Sequence, residues 1–276
     1  MHFAEARDGV KLAYQIVDYT DPWKKAPTIL LQHGFGRNAR FWYKWVPMLS
    51  RHFVVLMPDM RGFGASREGF SLSGNFDLPT FSSDLDSLLD AAGIDSVHYV
   101  GEAFGGTLGM QFAAEFPKRI RTLTLLSAPV FLHQKVKDIF ALSEGSWADA
   151  IRARGVKAWA EGTNTVSRFP TWMGQGFLDW YSRELGNTDT ETLAKFTEIC
   201  SAYDQSPFLS RIKAPTLGVY SRSREEQVDL LRKHVADVTV LHIDTEYYLL
   251  YQIFPRACAD AVMHFAAEHE GIVLGD

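Results

Sequence analysis

Short apolar runs alternate with amphipathic stretches along most of this chain. Residues 28–31, 53–57, 97–100, 123–126 and 216–220 are apolar runs of strand length, the pattern of strands buried on both faces. Residues 39–49, 78–92 and 105–116 carry apolar positions at helical spacing, and Pro79 suits the first turn of a helix starting at 78. Residues 3–7 and 10–17 flank Asp8-Gly9, a strong hairpin signal. Residues 225–234, 238–243 and 255–268 add a helix, a strand and a last helix. Such alternation predicts an α/β protein: a mostly parallel sheet with helices on both faces. Between 130 and 207 the alternation stops. Helical patterns there carry many aromatic residues, among them Phe140, Trp147, Trp159, Trp172, Phe196 and Tyr203. This predicts a helical lid, residues 130–207, inserted after the sixth strand, with residues 1–129 and 208–276 forming the core.

Composition narrows the class without naming it. Apolar residues make up 46% of the 276 positions and charged residues 22%, with a formal net charge of -5, as in an ordinary soluble globular protein large enough for one sizeable core. No basic stripe points to nucleic acid. No apolar run approaches the roughly 20 residues that span a bilayer, and the first residues lack a signal-peptide layout. Cys200 and Cys258 read as two reduced thiols of a cytoplasmic protein. No metal-ligand spacing and no dinucleotide or phosphate-loop fingerprint is present, so neither metal nor cofactor is expected. Nothing in the chain fixes monomer or homodimer.

Four motifs in order carry a resemblance. His33-Gly34-Phe35-Gly36 follows the strand at 28–31. Pro58-Asp59-Met60-Arg61-Gly62-Phe63-Gly64-Ala65-Ser66 follows the strand at 53–57. Gly101-Glu102-Ala103-Phe104-Gly105-Gly106 lies between a strand and a helix, and Phe116-Pro117 closes that helix. The chain resembles the α/β-hydrolase fold over nearly its whole length. The resemblance implies a nucleophile elbow at Ala103 and an oxyanion hole made by the backbone amides of Phe35 and Phe104.

At all three catalytic positions the chain departs from that family. Ala103 stands where the family usually has serine and offers no attacking oxygen. The acid position, after the strand at 216–220, holds Arg224, with Glu225 one residue on. The histidine position, about seven residues before the proline that opens the last helix, holds Tyr248.

An intact oxyanion hole without a nucleophile suits proton transfer. The expectation is therefore a cofactor-free, non-hydrolytic enzyme of lyase, isomerase, decarboxylase or cyclase type. Its ligand would be a small hydrophobic or aromatic carbonyl compound. Tyr248, Arg224, Glu102 and His33 are the candidate catalytic groups, and His133 is a candidate substrate contact. The alternatives are an ester or C–C bond hydrolase disabled at position 103, and a binding protein that keeps only the pocket.

Overall fold

The computed structural model describes residues 1–272 and 274. Eight strands form one sheet: β1 (His2–Glu5), β2 (Lys11–Val17), β3 (Thr28–Gln32), β4 (Val54–Pro58), β5 (Val97–Glu102), β6 (Ile120–Leu126), β7 (Thr216–Ser221) and β8 (Val238–Ile243). Their order is β1-β2-β4-β3-β5-β6-β7-β8. The β1–β2 and β2–β4 pairs are antiparallel, and the others are parallel. The fold class expected from the alternation is the one observed. The apolar runs of β3, β5 and β6 are buried almost throughout because helices cover the sheet on both faces.

The longer helices of the framework are α1 (Leu78–Ala91), α2 (Phe104–Glu115), α8 (Glu225–His234) and α9 (Pro255–Glu270). Five more intervene between β6 and β7: α3 (Gln134–Ala141), α4 (Trp147–Arg154), α5 (Val156–Thr163), α6 (Gln175–Leu185) and α7 (Thr190–Ala202). Helices therefore make up most of the run between β6 and β7. Ser146 and Asp189 cap α4 and α7 by accepting from the backbone amides of Asp149 and Thr192.

Two local expectations need correction. The first strand ends at Glu5, because Ala6 and Val10 close the turn: the Gly9 amide donates to Ala6 and the Ala6 amide to Val10, both over 2.9 Å. The single helix expected over 39–49 is instead a 3-10 turn, Ala39–Trp42, and one α-turn, Val46–Leu49. Proline at 47 cannot sit inside a continuous helix, where its ring would strike the preceding turn.

Candidate functional site

The site begins where β5 meets α2. Ala103 joins them with φ 46° and ψ -118°, a conformation that strains any residue with a side chain, by about 1–3 kcal/mol. The turn is held because its amide donates to Leu126 of β6 over 2.9 Å. It also needs glycine around it. A Cβ on Gly105 would lie 2.4 Å from the Gln32 carbonyl oxygen and 2.7 Å from that of His33. The sharp elbow is thus retained without the oxygen it normally presents.

The two backbone donors are positioned independently. Phe104 is the first residue of α2, so its N–H has no partner within the helix and sits at the positive end of the helix dipole. The turn bearing Phe35 is fastened to the elbow from below. Glu102 Oε1 accepts from the Gly34 amide at 2.6 Å and from Arg37 Nη1 at 2.8 Å. Both partners of this ion pair are almost wholly buried. Burial, the largest single influence, opposes the Arg37 charge, but the Glu102 carboxylate together with Tyr181, Tyr251 and Tyr248 raises the guanidinium above its ordinary range. Phe196 of α7 packs against the side chains of Phe35 and Phe104. Its ring centroid is 4.5 Å from that of Phe104 and 5.5 Å from that of Phe35.

Over the elbow opens a cavity of about 320 Å³. Phe35, Ala103 and Phe104 form its floor, and Phe140, Trp147 and Trp159 from the inserted helices supply much of its wall. No aspartate, glutamate, histidine or lysine is among the described residues that line it. Its polar groups are the hydroxyls of Ser127, Ser167, Tyr203, Tyr220 and Tyr248 and the guanidinium groups of Arg37, Arg168 and Arg224, with two threonines and the Gln227 amide. Ser127 follows β6 next to the elbow. It too has a positive φ, 50°, and its buried Oγ has no hydrogen-bond partner among the described residues.

Tyr248 and Arg224 both reach the cavity, with the guanidinium carbon 5.8 Å from the ring centroid. Three other candidates do not line it. Glu102 is held beneath the elbow by Arg37 and Gly34. His33 is buried and bonded on both sides: Nδ1 lies 3.0 Å from the Gly34 carbonyl, and Nε2 accepts from the Met60 amide at 3.0 Å. Burial, chiefly, pushes its imidazole down to about 3, so it is neutral and ties two loops together. His133 precedes α3 with Nε2 3.1 Å from Glu226 and 3.4 Å from Gln227. It is Gln227 that faces the cavity. Asp59 is also structural, accepting from the Ala39 and Ala65 amides.

Sequence reasoning missed Arg168. It donates from Nε to the Tyr248 hydroxyl (3.1 Å), from Nη1 to Thr163 (2.8 Å) and from Nη2 to Tyr181 (2.8 Å). It lies between α5 and α6, and nothing in its local sequence ties it to position 248. Among the described residues no cluster of histidine, cysteine and carboxylate is arranged to hold a metal. Among the described residues no helix is long and apolar enough to cross a membrane.

Comparison with known proteins places this geometry. The α/β-hydrolase fold family matches residues 27–174, more than half of the chain. In sequence, the chain is 38% identical to the 2-hydroxy-6-oxo-2,4-heptadienoate hydrolase of Pseudomonas putida over 103 residues, 36% of this chain and 37% of that one. It is 23% identical to a protein proposed as the carbamate hydrolase RutD of Azorhizobium caulinodans, over 87% of this chain and 91% of that one. In structure, it is similar to an enol-lactonase from Burkholderia xenovorans, with a TM-score of 0.82 at 24% identity, covering 96% and 99% of the two chains.

These relatives overturn the expectation of a non-hydrolytic lyase, isomerase, decarboxylase or cyclase, and that of a binding-only protein: they are hydrolases by name. The reading failed because it took the missing side chains as the sign of a different reaction. A sharp turn, backbone amides and an apolar pocket do not by themselves select proton transfer over hydrolysis. By family match and by architecture, the chain belongs to the α/β-hydrolase fold family.

Proposed function

We propose that this chain is a hydrolase of small, largely apolar or aromatic carbonyl compounds in which water takes the place of the elbow nucleophile. The observation that carries this reading is the strained backbone kept at Ala103 on the floor of the cavity. A turn that costs stability and presents only a methyl group leaves space for a water beside the carbonyl carbon. The Phe35 and Phe104 amides hold the carbonyl oxygen and stabilise the charge that develops on it, typically worth a few kcal/mol for each such donor. The Ser127 hydroxyl, unpartnered and beside the elbow, orients the water.

Tyr248 moves the proton. Its oxygen accepts from Arg168, which leaves the phenolic hydrogen free to donate. As water attacks, its proton passes to the Tyr248 oxygen while the Tyr248 hydrogen passes to the leaving group. The bond from carbonyl carbon to leaving group breaks, and the phenol is restored. The inserted helices act as the lid, residues 130–207, over a core of residues 1–129 and 208–276. They supply Phe140, Trp147 and Trp159 to the wall, and the loop between α5 and α6 supplies Arg168. Two free, buried thiols fit a reducing cytoplasm.

Steady-state hydrolysis of a short p-nitrophenyl ester tests the reading. The chain as it stands is expected to turn the ester over above background. Tyr248→Phe should lower kcat by about 10²-fold or more, the usual contribution of a positioned proton-transfer group. Undiminished turnover in Tyr248→Phe, or none in the unaltered chain, overturns the proposal.

A further inference from the structure

Arg168 is an unusual arginine. Only 8% of its surface is exposed, yet among the described residues no carboxylate lies within ion-pair distance of it. The three acceptors it meets, Thr163, Tyr181 and Tyr248, are all neutral. The rings of Phe140, Phe169 and Tyr181 each lie 5.3 Å from its guanidinium carbon, so water reaches it poorly. A buried charge without a counter-charge is costly and normally acquires a partner. Arg37, the other deeply buried cavity arginine, has such a partner in Glu102.

Its donors are also not exhausted. A guanidinium carries five N–H groups in a planar fork. Three are engaged, which leaves two free. Arg224 lies over the ring of Tyr248 and likewise has no carboxylate within ion-pair distance among the described residues. Two cations without an ion-pair partner among the described residues thus line a cavity whose described lining contains no acidic side chain.

From this we infer that Arg168, assisted by Arg224, forms a carboxylate-binding subsite, so that the ligand is an aromatic or apolar carbonyl compound that also carries a free carboxylate. A carboxylate matches the planar fork and is held most strongly where water is excluded. The inference rests on the hydrolase reading of the cavity and narrows its substrate class.

Binding separates the two. Trp147 and Trp159 line the cavity, so tryptophan fluorescence reports occupancy without turnover. Phenylacetate and its neutral isostere phenylacetamide are titrated into the unaltered chain. The acid is expected to bind at least about tenfold more tightly than the amide, as for a charge-assisted hydrogen bond in a buried site. Arg168→Gln should abolish that preference. Arg224→Gln should weaken the acid by about two- to fivefold, as expected of a more exposed charge. Arg168 also ties three neighbours, so the fold of Arg168→Gln is checked by circular dichroism. The acid–amide comparison on the unaltered chain and the Arg224→Gln result stand without it. Equal affinity for acid and amide in the unaltered chain overturns the subsite. So does an acid preference that survives in a folded Arg168→Gln. Acid preference without ester hydrolysis would sink the hydrolytic mechanism and leave the subsite standing; hydrolysis without acid preference would do the reverse.

Discussion

A serine at position 103 would regain an attacking oxygen but find no imidazole. Counting along the chain puts Tyr248 where the family's histidine is expected and Arg224 where its acid is expected, and the described cavity lining holds no histidine or carboxylate. A hydroxyl without a base stays protonated and attacks poorly. Ala103→Ser alone is therefore expected to leave p-nitrophenyl ester hydrolysis within about threefold of the unaltered chain, far less than the 10²–10⁴-fold gain that a positioned base provides. The combined change Ala103→Ser, Tyr248→His and Arg224→Asp should raise turnover by about 10²-fold, because the backbone donors it needs are already in place. A large gain from Ala103→Ser by itself would mean that a base reaches the elbow from elsewhere. At this scale the sequence was readable in part. Counting along the chain picked out Tyr248 and Arg224, which the structure puts on the cavity wall. The same reasoning picked out His33, Glu102 and His133, which lie off it. Composition and spacing reveal what a residue is but not which way it faces. Arg168 illustrates the limit: its contact with Tyr248 spans 80 positions.

Among elements, the junction of β5 and α2 tolerates the least change. Gly105 faces two carbonyl oxygens of the β3 turn, and these belong to backbone that cannot swing aside. Gly105→Ala should destabilise the chain by about 1–3 kcal/mol in chemical denaturation, the usual cost of forced overpacking. Gly176, in the first turn of α6, has open space around it. Gly176→Ala is expected to be neutral or to stabilise by about 0.5–1 kcal/mol, since alanine loses less freedom on folding. Equal effects at the two sites would refute the crowding described at the elbow. Elements were the most legible level of this chain. The alternation of buried runs and amphipathic stretches marks the strands and most of the helices, because each side of a packed layer imposes its own period on the residues that build it. The failure over 39–49 comes from Pro47 and from the Asn38 side chain, which accepts from the Arg40 amide and starts a tighter turn.

For the molecule as a whole, buried histidines tie stability to pH. Burial, chiefly, pushes His33 down to about 3 and His98 down to about 4, against about 6.5 in an unfolded chain. The unfolded state therefore binds more protons between those values. The stability these groups contribute is fully present above pH 6.5 and is lost as pH falls toward 4 and 3. Each such histidine adds a slope of up to about 1.4 kcal/mol per pH unit. Burial works in the opposite direction on Asp59 and Asp84, whose carboxyls it raises, and so partly offsets the loss near the carboxylate range. Denaturation midpoints between pH 7 and 5 are expected to decline, and to decline less in His33→Gln. An unchanged slope in that variant would show that burial does not hold the ring neutral.

The methyl group at Ala103 has a consequence outside the reaction. Organophosphates and fluorophosphonates silence serine hydrolases by phosphorylating the elbow oxygen. Here no lone pair stands at that place to receive the phosphorus. In an extract treated with such agents the elbow of this chain has nothing to be modified, and probes built on the same chemistry pass it by unmarked.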